Sequence, residues 1–168
     1  MSNVPWFGPG LLLSMAAAIV LARPAARILR APPIVAVLVV LSLGAIAAAT
    51  LTPIAAIDRE PGAARTCDLS NLAVLPIAEL PTLDDRSLNV VLFVPLGIAT
   101  GLVPLSRRRW TLALAMACLP FAIEATQLAV PVLNRGCESG DVVDNLTGLV
   151  AGYVAGYTGG VALRRIRA

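Results

Sequence analysis

Charges and prolines cut this chain into five apolar stretches joined by polar ones. They run WFGPGLLLSMAAAIVLA (6–22), IVAVLVVLSLGAIAAATL (34–51), LNVVLFVPLGIATGLVPL (88–105), WTLALAMACLPFAIEATQLAV (110–130) and VVDNLTGLVAGYVAGYTGGVAL (142–163). In each the apolar positions are continuous rather than alternating, which argues for helices and against the strands of a membrane barrel. A hydrocarbon core about 30 Å thick needs roughly 20 helical residues, and the stretches approach or meet that length. The first is the weakest, because it begins with Gly and Pro around a short apolar run; were it only interfacial, the other four would stand. The expectation is one all-α membrane domain over 1–168 with about five transmembrane helices and a single long connection at 52–87.

Composition strengthens this reading. Of the 168 residues 58% are hydrophobic and 14% charged, with a mean hydropathy of +0.83. A soluble domain runs at roughly 45–50% apolar and about 25% charged. The arginines then set an orientation, since basic loops are retained in the cytoplasm. Arg23, Arg27 and Arg30 follow the first stretch, Arg107, Arg108 and Arg109 precede the fourth, and Arg164, Arg165 and Arg167 follow the fifth. These are nine of the 13 basic residues; the other four, Arg59, Arg65, Arg86 and Arg135, share their loops with eight of the ten acids. The expected topology has the N-terminus outside and the C-terminus inside a bacterial cytoplasmic membrane. The net charge of +3 reads as membrane topology and gives a nucleic-acid role no support. The first apolar run has no basic residue before it and three arginines after it, so no cleavable signal peptide is expected.

Residue types also narrow the chemistry. There is no histidine and no Cys-x-x-Cys, so a zinc site has little to stand on, and no metal or cofactor is expected. Cysteine nucleophiles activated by histidine are excluded for the same reason. Cys67 and Cys137 both fall in expected outer loops, where an oxidising compartment permits a disulfide, and Cys118 lies inside the fourth stretch. Bridged or free, the outer pair is left open.

The informative positions are the polar ones inside apolar stretches. In PFAIEATQLAVP (120–131), Glu124 and Gln127 lie one turn apart on one face. With the fourth helix running outward, they sit in its outer third. The fifth enters from outside with Asp141, Asp144 and Asn145 at its start, and the third with Asp85 and Asn89. Polar residues of three helices therefore gather at one level. An acid at the centre of a membrane helix costs roughly 2.5–3.5 kcal/mol, so such groups face a cavity or a partner. Arg135 is the cation nearest in sequence to both acidic groups, and its planar fork is expected to pair with Glu124 or Asp144. Plainer readings stand beside this one. Asp141 or Asp144 can cap the fifth helix, Asn89 can be a packing hydrogen bond, Asp85 can be a solvated cap, and Glu124 can form a structural pair with Arg135.

Small residues carry packing information. Gly148, Gly152, Gly156 and Gly160 recur every fourth position, a glycine zipper that admits a second helix closely, within one chain or in a homo-oligomer. Pro95 and Pro120 each remove a backbone donor and bend their helices; Pro120 frees the carbonyl of Met116 and favours an opening near Glu124. Tyr153 and Tyr157 read as packing residues.

NVVLFVPLG (89–97), EATQ (124–127), Arg135 and DVVDNLTGLVAGY (141–153), in this order, resemble the VanZ-like family of integral membrane proteins. In that family an N-x3-F-x-P-x-G element precedes E-x2-Q, an arginine and D-x3-N-x2-G-x3-G. The resemblance runs from about Asp85 to Tyr153, and the GCESG after Arg135 departs from the more acidic and aromatic run usual there. It implies a link to resistance against teicoplanin, a glycopeptide with a lipid tail. Two functions follow: a binding or accessory protein whose outer cavity holds an amphipathic cell-envelope lipid or lipopeptide, or an intramembrane enzyme with Glu124 as acid or base and Arg135 steering an anionic group. The binding set expected is Asn89, Glu124, Gln127, Arg135, Asp141, Asp144 and Asn145, with Glu124 catalytic only in the second case.

Overall fold

Five helices follow from the turns and caps between the apolar stretches. The structure, a computed structural model, describes residues 6–54, 66–82 and 84–166. Asp58, Arg59, Glu60, Arg65 and Arg167 of the charge pattern lie outside these residues. The first helix, α1 (Phe7–Leu29), continues through Arg23, Pro24 and Arg27 and ends where Arg30 turns left-handed at φ 49°. Pro33 opens α2 (Pro33–Thr50), where its fixed φ suits the first helical position and its missing N–H costs nothing. Small residues bring α1 and α2 together: Gly44 packs on Ser14, whose hydroxyl donates back to the Gly10 carbonyl at 2.7 Å, and Gly10 packs on Ala48.

Beyond the long connection, Asp84 caps α3 (Asp85–Leu102) by accepting the Ser87 N–H at 2.8 Å. That bond holds the Asp84 carboxyl below its usual range. Ser106 similarly caps α4 (Arg107–Ala129), and α5 (Ser139–Ile166) starts directly after a short extended segment. The helices overrun the apolar stretches at most ends. Hydropathy measures what can sit in lipid, whereas a helix continues as long as its backbone bonds are made. Among the described residues α1, α2, α4 and α5 are long and apolar enough to cross a membrane. The polar start falls on α3, with Asp85, Arg86 and Asn89 in its first turns, while α1 meets the criterion that its Gly-Pro start put in question.

Helix α3 occupies the middle of the bundle. Phe93, Leu96 and Ala99 are fully buried there, against Val39 and Ile46 of α2, Ile123 of α4 and Leu149 of α5. Its tightest neighbour is α5. A Cβ added at Gly148, Gly152 or Gly156 would collide with the carbonyls of Val90, Val94 and Ile98, and one at Gly97 or Gly101 with those of Leu149 and Tyr153. The two backbones are therefore in contact through glycines on both sides, within one chain; Gly160, the fourth of the series, is half-buried.

The arginine-bearing connections meet at one end. Arg108 donates to the Ile28 carbonyl at the end of α1 at 2.6 Å. Arg109, expected in a cytoplasmic connection, is 2% exposed, with its guanidinium 4.9 Å from the ring centre of Tyr157 and 5.7 Å from that of Tyr153. Aromatic faces compensate the buried charge there. The opposite end holds the only strands among the described residues, a two-residue parallel bridge of β1 (Cys67–Asp68) and β2 (Cys137–Glu138). A disulfide joins Cys67 to Cys137 in this bridge.

Candidate functional site

The site lies at the disulfide end, where α2 and α4 finish and α3 and α5 begin. Helix α2 leaves its last carbonyls without intrahelical donors, as every helix does. Gln127 Nε2 of α4 donates to the Thr50 carbonyl at 2.9 Å. Arg135 Nε donates to the Thr52 carbonyl at 3.2 Å, and its Nη2 to that of Ala49. Asn134, in the left-handed conformation at φ 52°, turns the chain out of the Pro131–Leu133 single turn and aims Arg135 back at α2. Gln127 and Arg135 thus act together as the C-terminal cap of α2, a role with no local signal in the sequence.

This corrects the pairing expected for Arg135. Asp144, fully buried, takes both of its bonds from Arg86: Nε to Oδ2 at 2.8 Å and Nη2 to Oδ1 at 2.9 Å. Glu124, 5% exposed, accepts the Glu138 N–H on Oε2 at 2.8 Å. Arg86 was the nearer cation in space because α3 and α5 start at the same level and touch through their glycines; nearness in sequence favoured Arg135. The signal available was Arg86 one residue after Asp85, at the start of a helix expected to enter beside Asp144. Arg135 still feels Asp141 and Glu124 at longer range. Burial draws its guanidinium below the usual arginine value, and the charges of Asp141 and Glu124 oppose that shift.

Asn89 Nδ2 donates to Asp141 Oδ1 at 2.7 Å, a second polar link between α3 and α5 beside the Arg86 pair. Asn145 is different: it is 1% exposed and its Oδ1 has no hydrogen-bond partner among the described residues. An unsatisfied buried amide oxygen costs about 1–3 kcal/mol, so its presence asks for an explanation. The residue borders open space. A cavity of about 470 Å³ opens between the helix ends, lined by Asn89, Glu124, Gln127, Arg135, Asp141 and Asn145 and backed by Leu88, Leu92 and Ile123. Six of the seven expected binding residues line it, and Asp144 is spoken for by Arg86 behind it. Sequence reasoning passed over Glu138, which lines the cavity and supplies the N–H to Glu124.

The 66–76 segment is tied over this end by four separate links. They are the disulfide, the β1–β2 bridge, Ser139 Oγ to the Asn71 carbonyl at 2.8 Å, and Arg86 Nη2 to the Ala73 carbonyl at 2.7 Å.

Four long apolar helices, a central polar-headed one and a polar cavity at one end define a polytopic α-helical membrane protein. The VanZ/LLP1 family model matches residues 34–159, and the chain belongs to that family. The matched region runs from α2 into α5 and contains every polar residue that lines the cavity. No curated protein and no solved structure matches the chain.

Proposed function

We propose that the protein is a binding or accessory protein of the bacterial cytoplasmic membrane whose cavity faces outward and receives the polar end of an amphipathic cell-envelope lipid or lipid-tailed glycopeptide. Through that binding it contributes to glycopeptide resistance. The observation that carries the reading is the cavity itself: polar groups from three helices and a loop converge on it, one of them an unsatisfied buried amide, beside an apolar wall. Convergent polar groups on an apolar lining are what ligand pockets of this size consist of. The outward direction follows from the arginines of three connections, which collect at the far end of the bundle and belong in the cytoplasm.

Substituting Glu124→Gln separates this reading from intramembrane catalysis. Glutamine keeps an oxygen for the Glu138 N–H but has no acid proton to transfer. In cells carrying the protein, a binding role gives a partial change in teicoplanin susceptibility together with weaker ligand retention. An enzyme loses all function while retaining its ligand. Full function with unchanged retention would remove Glu124 from either role.

A further inference from the structure

Among the described residues the charges around the cavity do not balance. Four described carboxylates line it, Asp85 and Glu138 at the exposed rim and Glu124 and Asp141 further in, against one described guanidinium, that of Arg135. That guanidinium already donates to the carbonyls of Ala49 and Thr52. Among the described residues none of the four carboxylates forms an ion pair; the Arg86 pair belongs to Asp144, outside the lining. One oxygen of Glu124 takes the Glu138 N–H and one of Asp141 takes Asn89, which leaves each with an oxygen that no described side chain uses. Asn145 adds a buried acceptor with no donor among the described residues. The cavity is thus rich in acceptors and negative charge and poor in donors.

We propose that the headgroup received here is cationic and donor-rich, a primary ammonium, and not a phosphate or other anion. An ammonium has three donors and no acceptor, matching the unused oxygens of Glu124 and Asp141 and the amide oxygen of Asn145. A bare carboxylate removed from water is costly, and a bound cation lowers that cost where a phosphate raises it. A divalent metal ion is a poorer fit, because no three acidic or sulfur side chains of the described residues converge on one point. Arg135 then acts as part of the wall that shapes the cavity and not as an anion hook. The inference rests on the cavity being a binding site, and names the chemistry of its occupant. The ammonium can be that of an aminophospholipid or of an amine-bearing lipopeptide.

The test uses the full chain in a neutral maltoside detergent at pH 7, with three probes of equal chain length: dodecylamine, dodecyl phosphate and monolauroylglycerol. Retention is read by native mass spectrometry and by shift of the melting temperature. Dodecylamine should bind at least about tenfold more tightly than dodecyl phosphate, and Glu124→Gln and Asp141→Asn should each weaken it about tenfold, the scale of one charge-assisted hydrogen bond. Both variants keep the oxygen that accepts from Glu138 or Asn89, so their unliganded melting temperatures report whether the fold is intact. Displacement of dodecylamine by phosphatidylethanolamine added in the same detergent assigns the ammonium to a membrane lipid; displacement by an amine-bearing lipopeptide and not by phosphatidylethanolamine assigns it to a lipopeptide. Preference for dodecyl phosphate, unaffected by either variant, would overturn the cationic assignment and leave the binding cavity standing. Equal or absent retention of all three probes would overturn the binding cavity as well.

Discussion

At the residue scale the buried carboxylates have different duties. Asp144 is fully buried and bidentate to a partly exposed arginine, so its charge is compensated, whereas among the described residues Glu124 accepts from a backbone N–H alone. Breaking a buried pair by removing one partner costs about 3–5 kcal/mol, because the remaining charge is stranded. Arg86→Ala should therefore lower stability by about 3 kcal/mol, at the low end since the arginine is partly solvated, and Arg86→Lys should recover part of it. Thermal unfolding in detergent measures both; equal stability of Arg86→Ala and the parent would refute the pair. The sequence made Glu124, Gln127, Asn89 and Asn145 conspicuous, because polar residues in apolar helices stand out whatever they do. It did not say who pairs with whom. Arg86 took the role expected of Arg135 because partner choice depends on which helices touch, and that contact is set by glycines that begin about one turn further along α5.

Glycines decide packing at the element scale. Helices α3 and α5 approach so closely that the Gly152 position faces the Val94 carbonyl with no room for a methyl group, while Gly159, on the same helix, has open space. Alanine is favoured over glycine in a helix by about 1 kcal/mol, so intrinsic propensity alone makes both substitutions stabilising. Packing reverses the sign at one of them. Gly152→Ala should lower the melting temperature and Gly159→Ala should leave it unchanged or raise it slightly. Two equal responses would mean that α3 and α5 are not in backbone contact. The four-residue spacing of these glycines was plain in the sequence, as were the apolar stretches. Their partner helix was not, since a glycine face specifies closeness without specifying a neighbour. The reciprocal glycines at 97 and 101 complete the match.

For the whole molecule, the two ends of the bundle differ in chemistry. One end carries the arginine connections, with Arg109 held between aromatic rings; the other carries the cavity, the disulfide and the segment strapped across it. The disulfide closes a loop of sequence separation 70. Its removal by Cys67→Ser with Cys137→Ser should cost about 2–4 kcal/mol, the usual range for a native bridge. An impermeant thiol reagent applied from outside should label these two cysteines only after reduction; labelling without reduction would deny the bridge, and protection after reduction would deny the orientation. The two-ended layout was legible in the distribution of arginines and acids along the chain. The strap was not, because a short parallel bridge between segments 70 residues apart leaves no periodicity to read.

If the polar cavity holds the head of an amphiphile, a native mass spectrum of the chain released from its own membrane will carry that ligand. One amphiphile should be retained per chain and be absent from an Asn145→Leu variant that still melts cooperatively. Identical adducts on both proteins, or none on either, would contradict binding in the cavity.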